Sequence, residues 1–140
     1  MSGKAFVDTN VFVYAHDPRG NAKSIQARTL IRQLWLEKRG ILSTQVLQEF
    51  CVNVRRKFLH PMSSEEFGEL LHDYMKWQTV VNTAESIVRA LEIERRYQLS
   101  FWDAMIVQAA ASAGCEVLYS EDLSHAQEYQ GVLVINPFVS

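Results

Sequence analysis

Ala5-Phe6-Val7-Asp8-Thr9-Asn10 decides the fold. Three apolar residues after Lys4 read as a short strand buried on both faces, and the run stops at a carboxylate followed by two polar residues that favour turns and helix starts. A carboxylate at the end of a buried strand is costly unless it is paired, hydrogen-bonded or bound to a metal. The same grammar recurs outward from this stretch. Asn21 to Lys38 sets Ile25, Leu30, Ile31, Leu34 and Trp35 at helical spacing, and Arg39-Gly40 reads as the close of that helix. Ile41-Leu42-Ser43 is strand-like, and Thr44 to Phe58 carries a helical stripe of Val46, Phe50, Val54 and Phe58, with Leu47 and Cys51 alongside. Beyond Pro61, Ser63-Ser64-Glu65-Glu66 is a capping box for a helix running to about Lys76. Gln78 to Val81 reads as a strand, and Thr83 to Gln98, with Ile87, Leu91 and Ile93, as a helix. Ser100 to Ala113 is a helix ended by Gly114, Glu116 to Tyr119 a strand, then comes a short helical piece, and Val132 to Ile135 is the last strand. Alternation of this kind predicts a three-layer α/β/α sandwich around a central, mostly parallel sheet.

The chain has 140 residues, 48% of them hydrophobic and 21% charged, which suits one globular domain over residues 1–140 with a core that needs no covalent staples. No linker, repeat or low-complexity tract divides it. The formal net charge of -2 argues against holding nucleic acid by bulk positive charge, while leaving room for a local basic patch and a metal. Cys51 and Cys115 lie in apolar surroundings and read as reduced, buried thiols. Met1-Ser2-Gly3-Lys4 passes straight into a strand without a signal peptide, and no apolar run approaches the ~20 residues that span a bilayer. A cytoplasmic protein without a membrane partner is expected.

In an open parallel sheet, ligands bind outside the carboxyl ends of the strands. Asp8 falls at the end of the first strand, and Ser120-Glu121-Asp122 at the end of a later one. Glu49 and Asp103 fall in early turns of helices that open at the same edge. Four carboxylates meeting there would repel one another until a hard cation neutralised them, which points to Mg²⁺ or Mn²⁺. Each residue also has a plainer use. Asp8 suits a helix N-cap, Asp103 pairs with Ser100 in a capping box, Glu49 with Asn53 and Arg56 suits either a solvated helix face or a polar stripe lining a cleft, and Asp122 suits a turn. The common placement carries the metal reading. His16, His60, His72 and His125 lack ligand spacing for zinc, the scattered glycines form no phosphate loop, and no serine sits in a nucleophile elbow. Trp35, Trp77 and Trp102 read as core residues. Arg55-Arg56-Lys57 is a basic cluster whose default place is a solvated helix end, and which becomes a candidate RNA contact once the acidic site is granted.

Four segments together resemble the PIN-domain ribonucleases, and among them the VapC-type toxins of toxin–antitoxin pairs. They are Phe6-Val7-Asp8-Thr9-Asn10-Val11, Ser43-Thr44-Gln45-Val46-Leu47-Gln48-Glu49-Phe50, Ser100-Phe101-Trp102-Asp103-Ala104-Met105-Ile106 and Leu118-Tyr119-Ser120-Glu121-Asp122-Leu123, with Val132-Leu133-Val134-Ile135-Asn136-Pro137-Phe138 also similar. No single one is specific; their order and spacing are. The resemblance implies cleavage of single-stranded RNA with Mg²⁺ or Mn²⁺ in a pocket of Asp8, Glu49, Asp103 and Asp122, with Glu121 as the substitute for the fourth. It also implies polar support from Thr9 or Asn10 and Ser120, products ending in a 5′-phosphate and a 3′-hydroxyl, a homodimer, and a small antitoxin received by the helices from Thr44 to Lys76. The alternatives are a receiver-type Mg²⁺-binding signalling domain and a non-catalytic PIN-like scaffold whose carboxylates only cap helices. The receiver reading expects a lysine after the last strand, and none follows Tyr119 or Ile135. A haloacid-dehalogenase-like phosphatase expects a second aspartate where Asn10 stands.

Overall fold

The computed structural model describes residues 3–56, 58 and 60–139. The order is β1 (Ala5–Val7), α1 (Thr9–Ala15), α2 (Ala22–Glu37), β2 (Gly40–Ser43), α3 (Thr44–Arg56), α4 (Ser64–Tyr74), β3 (Gln78–Val80), α5 (Ala84–Tyr97), α6 (Phe101–Ser112), β4 (Val117–Tyr119), β5 (Glu128–Tyr129) and β6 (Val132–Ile135). The strands form one sheet in the order β3-β2-β1-β4-β6-β5. All neighbours run parallel except β5, which is antiparallel to β6. The expected mostly parallel α/β/α arrangement is therefore the one found.

β1 is the central strand, and Ala5, Phe6 and Val7 have no exposed surface. From β1 the chain winds outward through β2 to β3, then returns to place β4 on the other side of β1. That reversal is a topological switch point, and it opens a crevice between the carboxyl ends of β1 and β4. Asp8 and Ser120 stand immediately after those two strands. At the next strand no loop intervenes: Ser43, the last residue of β2, accepts a hydrogen bond from Val46 N at 3.3 Å, so α3 starts directly from the strand end. Ser63 and Glu66 form the expected reciprocal capping box on α4, and Thr83 and Ser86 form another on α5.

Several local expectations are corrected. The piece between β4 and β6 is a strand, not a helix: Gln130 (φ 53°) and Gly131 (φ 78°) make a two-residue hairpin turn with both residues left-handed, pairing Tyr129 with Val132. The close of α2 is Lys38, held left-handed at φ 57°, and Gly40 already belongs to β2. On α5 the buried residues are Ser86, Ala90 and Ile93, while Ile87 and Leu91 are about half exposed, because α5 packs through its small residues against α6. Val46, Phe50, Val54 and Phe58 are buried as expected, although α3 ends at Arg56. Cys115 is buried and its thiol is pushed up to about 12 by burial, whereas Cys51 is only half-buried; both are free. Among the described residues no helix is long and apolar enough to cross a membrane.

Gly40 earns its place by close approach. The Trp77 indole lies flat on the β2 backbone, so that a β-carbon at residue 40 would sit 2.5 Å from Trp77 Cζ3. Trp77 is in turn set edge-on against Phe12, Trp35 and Tyr74. Gly40→Ala is expected to destabilise the fold by about 1–3 kcal/mol, the cost of overpacking a filled core. Urea denaturation measures it; an unchanged midpoint would show that the indole yields freely.

Candidate active site

The crevice at the switch point is a cavity of about 510 Å³ lined by Asp8, Thr9, Asn10, Gln45, Gln48, Glu49, Val52, Asn53, Trp102, Asp103, Ile106 and Asp122. All four sequence-predicted carboxylates reach it. β1 delivers Asp8, α3 delivers Glu49, the first turn of α6 delivers Asp103, and the segment after β4 delivers Asp122.

Asp8 is nearly inaccessible, at 5% exposure. It is the N-cap of α1: one carboxylate oxygen accepts from Thr9 N at 2.7 Å, and the other accepts from Ser120 Oγ at 2.8 Å. Ser120 Oγ in turn accepts from Asp122 N at 3.2 Å and Leu123 N at 3.4 Å. One buried hydroxyl thus ties the end of β1 to the turn carrying Asp122. Thr9 Oγ1 donates to Glu49 Oε1 at 2.6 Å, and Asn10 Nδ2 donates to Asp122 at 3.1 Å. The three expected polar supports, Thr9, Asn10 and Ser120, therefore each hold a carboxylate.

Asp103 resolves the capping question in part. Ser100 Oγ accepts from Asp103 N at 3.1 Å, so Ser100 does cap α6. The reciprocal bond from Ser100 N to the Asp103 carboxylate is not formed, and among the described residues that carboxylate takes no hydrogen bond. It faces the cavity instead. Glu121 is turned away: Tyr14 Oη donates to it at 2.8 Å, and the Lys23 ammonium pairs with it while lying over the rings of Tyr14 and Phe138. Glu121 therefore anchors the β4 turn from behind, and Asp122 is the one that reaches the cavity.

Burial pushes the Asp8 carboxyl up to about 7, against the lowering effect of its bonds to Ser120 and Thr9, and the charges of Asp122 and Glu49 push the same way. Asp122 is also raised, first by desolvation and then by Asp103, Glu121 and Glu49. Among the described residues no lysine or arginine lines the cavity. Nor do any three acidic, histidine or cysteine side chains among them stand close enough to share one ion as arranged; Glu49 is bonded to Thr9 and Asp122 to Asn10. The donor set still suits a hard divalent cation. It offers carboxylate, amide and hydroxyl oxygens with no thiol or imidazole, and it carries an excess of negative charge that a cation would relieve.

A model of the PIN domain family matches residues 5–129. The chain belongs to the PIN domain family. Several solved structures share its fold. A toxin–antitoxin complex from Klebsiella pneumoniae superposes with a TM-score of 0.72 at 16% identity, covering 96% of this chain and 98% of its own. VapC20 of Mycobacterium tuberculosis, a sarcin–ricin loop cleaving toxin, gives 0.67 at 22% identity, with 93% and 99% covered. DNA-bound VapBC from Salmonella typhimurium gives 0.65 at 17% identity, with 94% and 96% covered. No curated protein sequence matches. With the PIN domain identified, the receiver-type alternative falls.

Other site expectations fare differently. Arg55 and Arg56 are exposed in the last turn of α3, and Arg55 borders an apolar groove with Leu47, Cys51, Phe67 and Leu71, not the acidic cavity. Lys57 lies outside the described residues. Residue-by-residue reading missed Gln45, whose amide donates to Glu49 Oε2 at 3.4 Å and to Trp102 O at 3.3 Å. Its position four residues before Glu49, on the same helical face, was the available signal. Trp102 is not a core residue: it is 61% exposed.

The burial of Asp8 sets a pH dependence. Its folded-state pKa lies above its unfolded value, so between about pH 4 and 7 the folded state holds the extra proton and stability falls as pH rises. In the absence of divalent ions, the wild-type melting temperature is expected to drop more between pH 5 and pH 7.5 than that of Asp8→Asn. Parallel pH slopes in thermal melts of the two proteins would contradict the assignment.

Proposed function

We propose that the chain is a divalent-cation-dependent endoribonuclease that hydrolyses phosphodiester bonds in single-stranded RNA, acting as the toxin of a toxin–antitoxin module. One observation carries it: Asp8, Glu49, Asp103 and Asp122, from four distant segments, line one cavity at the switch point, with no lysine or arginine among its described lining residues. Asp8, Asp103 and Asp122 would hold Mg²⁺ or Mn²⁺, with Glu49 acting directly or through water. The ion, when bound, supplies Lewis acidity to a phosphoryl oxygen and to water. The chain's own residues do the positioning. Ser120 and Thr9 N fix the two oxygens of Asp8, and Asn10 aims Asp122. Glu49, oriented by Thr9 Oγ1, is placed to align a water or to take its proton. Products with a 5′-phosphate and a 3′-hydroxyl follow from attack by water at phosphorus with loss of the 3′ oxygen.

The family match and the toxin–antitoxin structures sharing the fold support an antitoxin partner. The apolar groove between α3 and α4, with Leu47, Cys51, Phe67 and Leu71, suits it as a docking place. A homodimer in the cytoplasm completes the reading. The scaffold-only alternative accounts for Asp8, which does cap α1, but leaves Glu49 and Asp122 without a capping role.

Mn²⁺-dependent cleavage of a single-stranded RNA panel is expected to be lost in Asp8→Asn and Asp122→Asn, each by a factor of about 10² or more, and kept in Glu121→Gln. Undiminished cleavage by Asp8→Asn would overturn the assignment. Added Mn²⁺ is also expected to raise the melting temperature of the wild type and not of Asp8→Asn, since only the intact site binds the folded state.

A further inference from the structure

The acidic cavity has a second, chemically distinct half. Trp102 borders it at 61% exposure and Val52 at 48%, contributed by α6 and α3, while Ile106, one turn beyond Trp102 in the lining, is itself buried. The neighbouring Phe101 ring meets the indole edge-on at 5.2 Å. A large aromatic surface is thus left to solvent one residue from Asp103. The same cavity carries four carboxylates and, among the described residues, no lysine or arginine. A polyanion entering it meets net repulsion that an ion offsets only locally, so affinity must draw on contacts that do not depend on charge. Stacking on an aromatic ring is such a contact, and a base is free for it only when the strand is unpaired.

We propose that Trp102 is the stacking platform for one unpaired base of a single-stranded RNA whose backbone enters the acidic cavity, with Val52 completing the apolar slot. The platform rests on the ribonuclease reading of this site, and it adds the reason for a single-stranded substrate. A duplex keeps its bases stacked inside and offers the indole no face. Because Trp102 precedes Asp103 on the first turn of α6, the base it holds is close to the scissile phosphate, so the platform also sets which phosphate is presented.

The test is binding of a short unstructured oligoribonucleotide, labelled for anisotropy, to full-length protein carrying Asp8→Asn so that substrate is not consumed. Adding Trp102→Ala is expected to weaken binding about five- to a hundredfold, the range of one base–aromatic stack, and to leave the slope of affinity against salt unchanged. Trp102→Phe is expected to retain most of the affinity while abolishing the quenching of tryptophan emission on RNA addition. In the otherwise wild-type enzyme, Trp102→Ala is expected to raise KM by a similar factor with kcat within about twofold. Circular dichroism confirms that each variant is folded. Unchanged affinity and KM with RNA still cleaved would overturn the platform and leave the nuclease reading standing. So would a change in sedimentation on Trp102→Ala without a change in affinity, which would give the indole to a second copy of the chain. No binding and no cleavage by the wild type would overturn both.

Discussion

The hydrogen bond from Ser120 Oγ to the buried Asp8 carboxylate, 2.8 Å long, is the constraint on which the site depends. Asp8 N also donates to Tyr119 O at 3.0 Å, so β1 and β4 remain in register to their last residues. Ser120 then uses its hydroxyl oxygen to receive the amides of Asp122 and Leu123. A fully buried hydroxyl with a donor and two acceptor roles filled is a well-satisfied group, and such a network specifies one geometry where a partly filled one would not. The position of Asp122 follows from it, and the position of Asn10, one helical residue away from the Asp8 cap, follows from the same anchor.

Against this ordered frame the electrostatics are unfavourable. Asp8 loses its hydration on folding and faces Asp122 and Glu49 across the cavity. The fold spends its neutral donors on these carboxylates, from Thr9, Asn10, Gln45 and Ser120, and places its cations elsewhere. Lys23 reaches the neighbourhood but pairs with Glu121 on the far side of the turn. A structure selected for stability alone would bring a cation in. One that leaves Asp8 and Asp122 desolvated, with no lysine or arginine among the described residues that line the cavity, carries a structural cost of the kind that marks functional sites.

Much of this was legible in the chain because the legible parts depend on local patterns. Short apolar runs ending in polar residues gave β1, β2 and β4 and, with the switch-point rule, the edge where Asp8, Glu49, Asp103 and Asp122 meet. Ser63 and Ser100 announced their helices through side chains that reach only three residues. What was not legible depends on partners distant in sequence. Gln130-Gly131 is a weaker hairpin signal than Asn-Gly, and β5 exists only because β6 offers it an edge. Lys38 closes α2 in a left-handed conformation that glycine would take more easily, and nearby Gly40 imitates that signal while its role is to admit the ring of Trp77. Ile87 and Leu91 sit at helical spacing, yet the smaller Ser86 and Ala90 are buried because α5 and α6 approach closely. The preference for Asp122 over Glu121 rested on the resemblance; the partners that turn Glu121 away, Tyr14 and Lys23, lie more than ninety residues upstream.

Trp102 shows why residue type alone misleads. A tryptophan in an apolar helix reads as core, and the five neighbours Ala104 to Gln108 are indeed buried. The first turn of α6, however, borders the cavity, where it brings Asp103. Residue 102 is carried out with it. The exposure of the indole and the reach of the carboxylate belong to one turn, which presents Asp103 to the cavity and an aromatic face beside it. On the proposed reading the two halves of the cavity divide the work, oxygen donors taking the charge and apolar surface the base, and no lysine or arginine among the described residues lines either half.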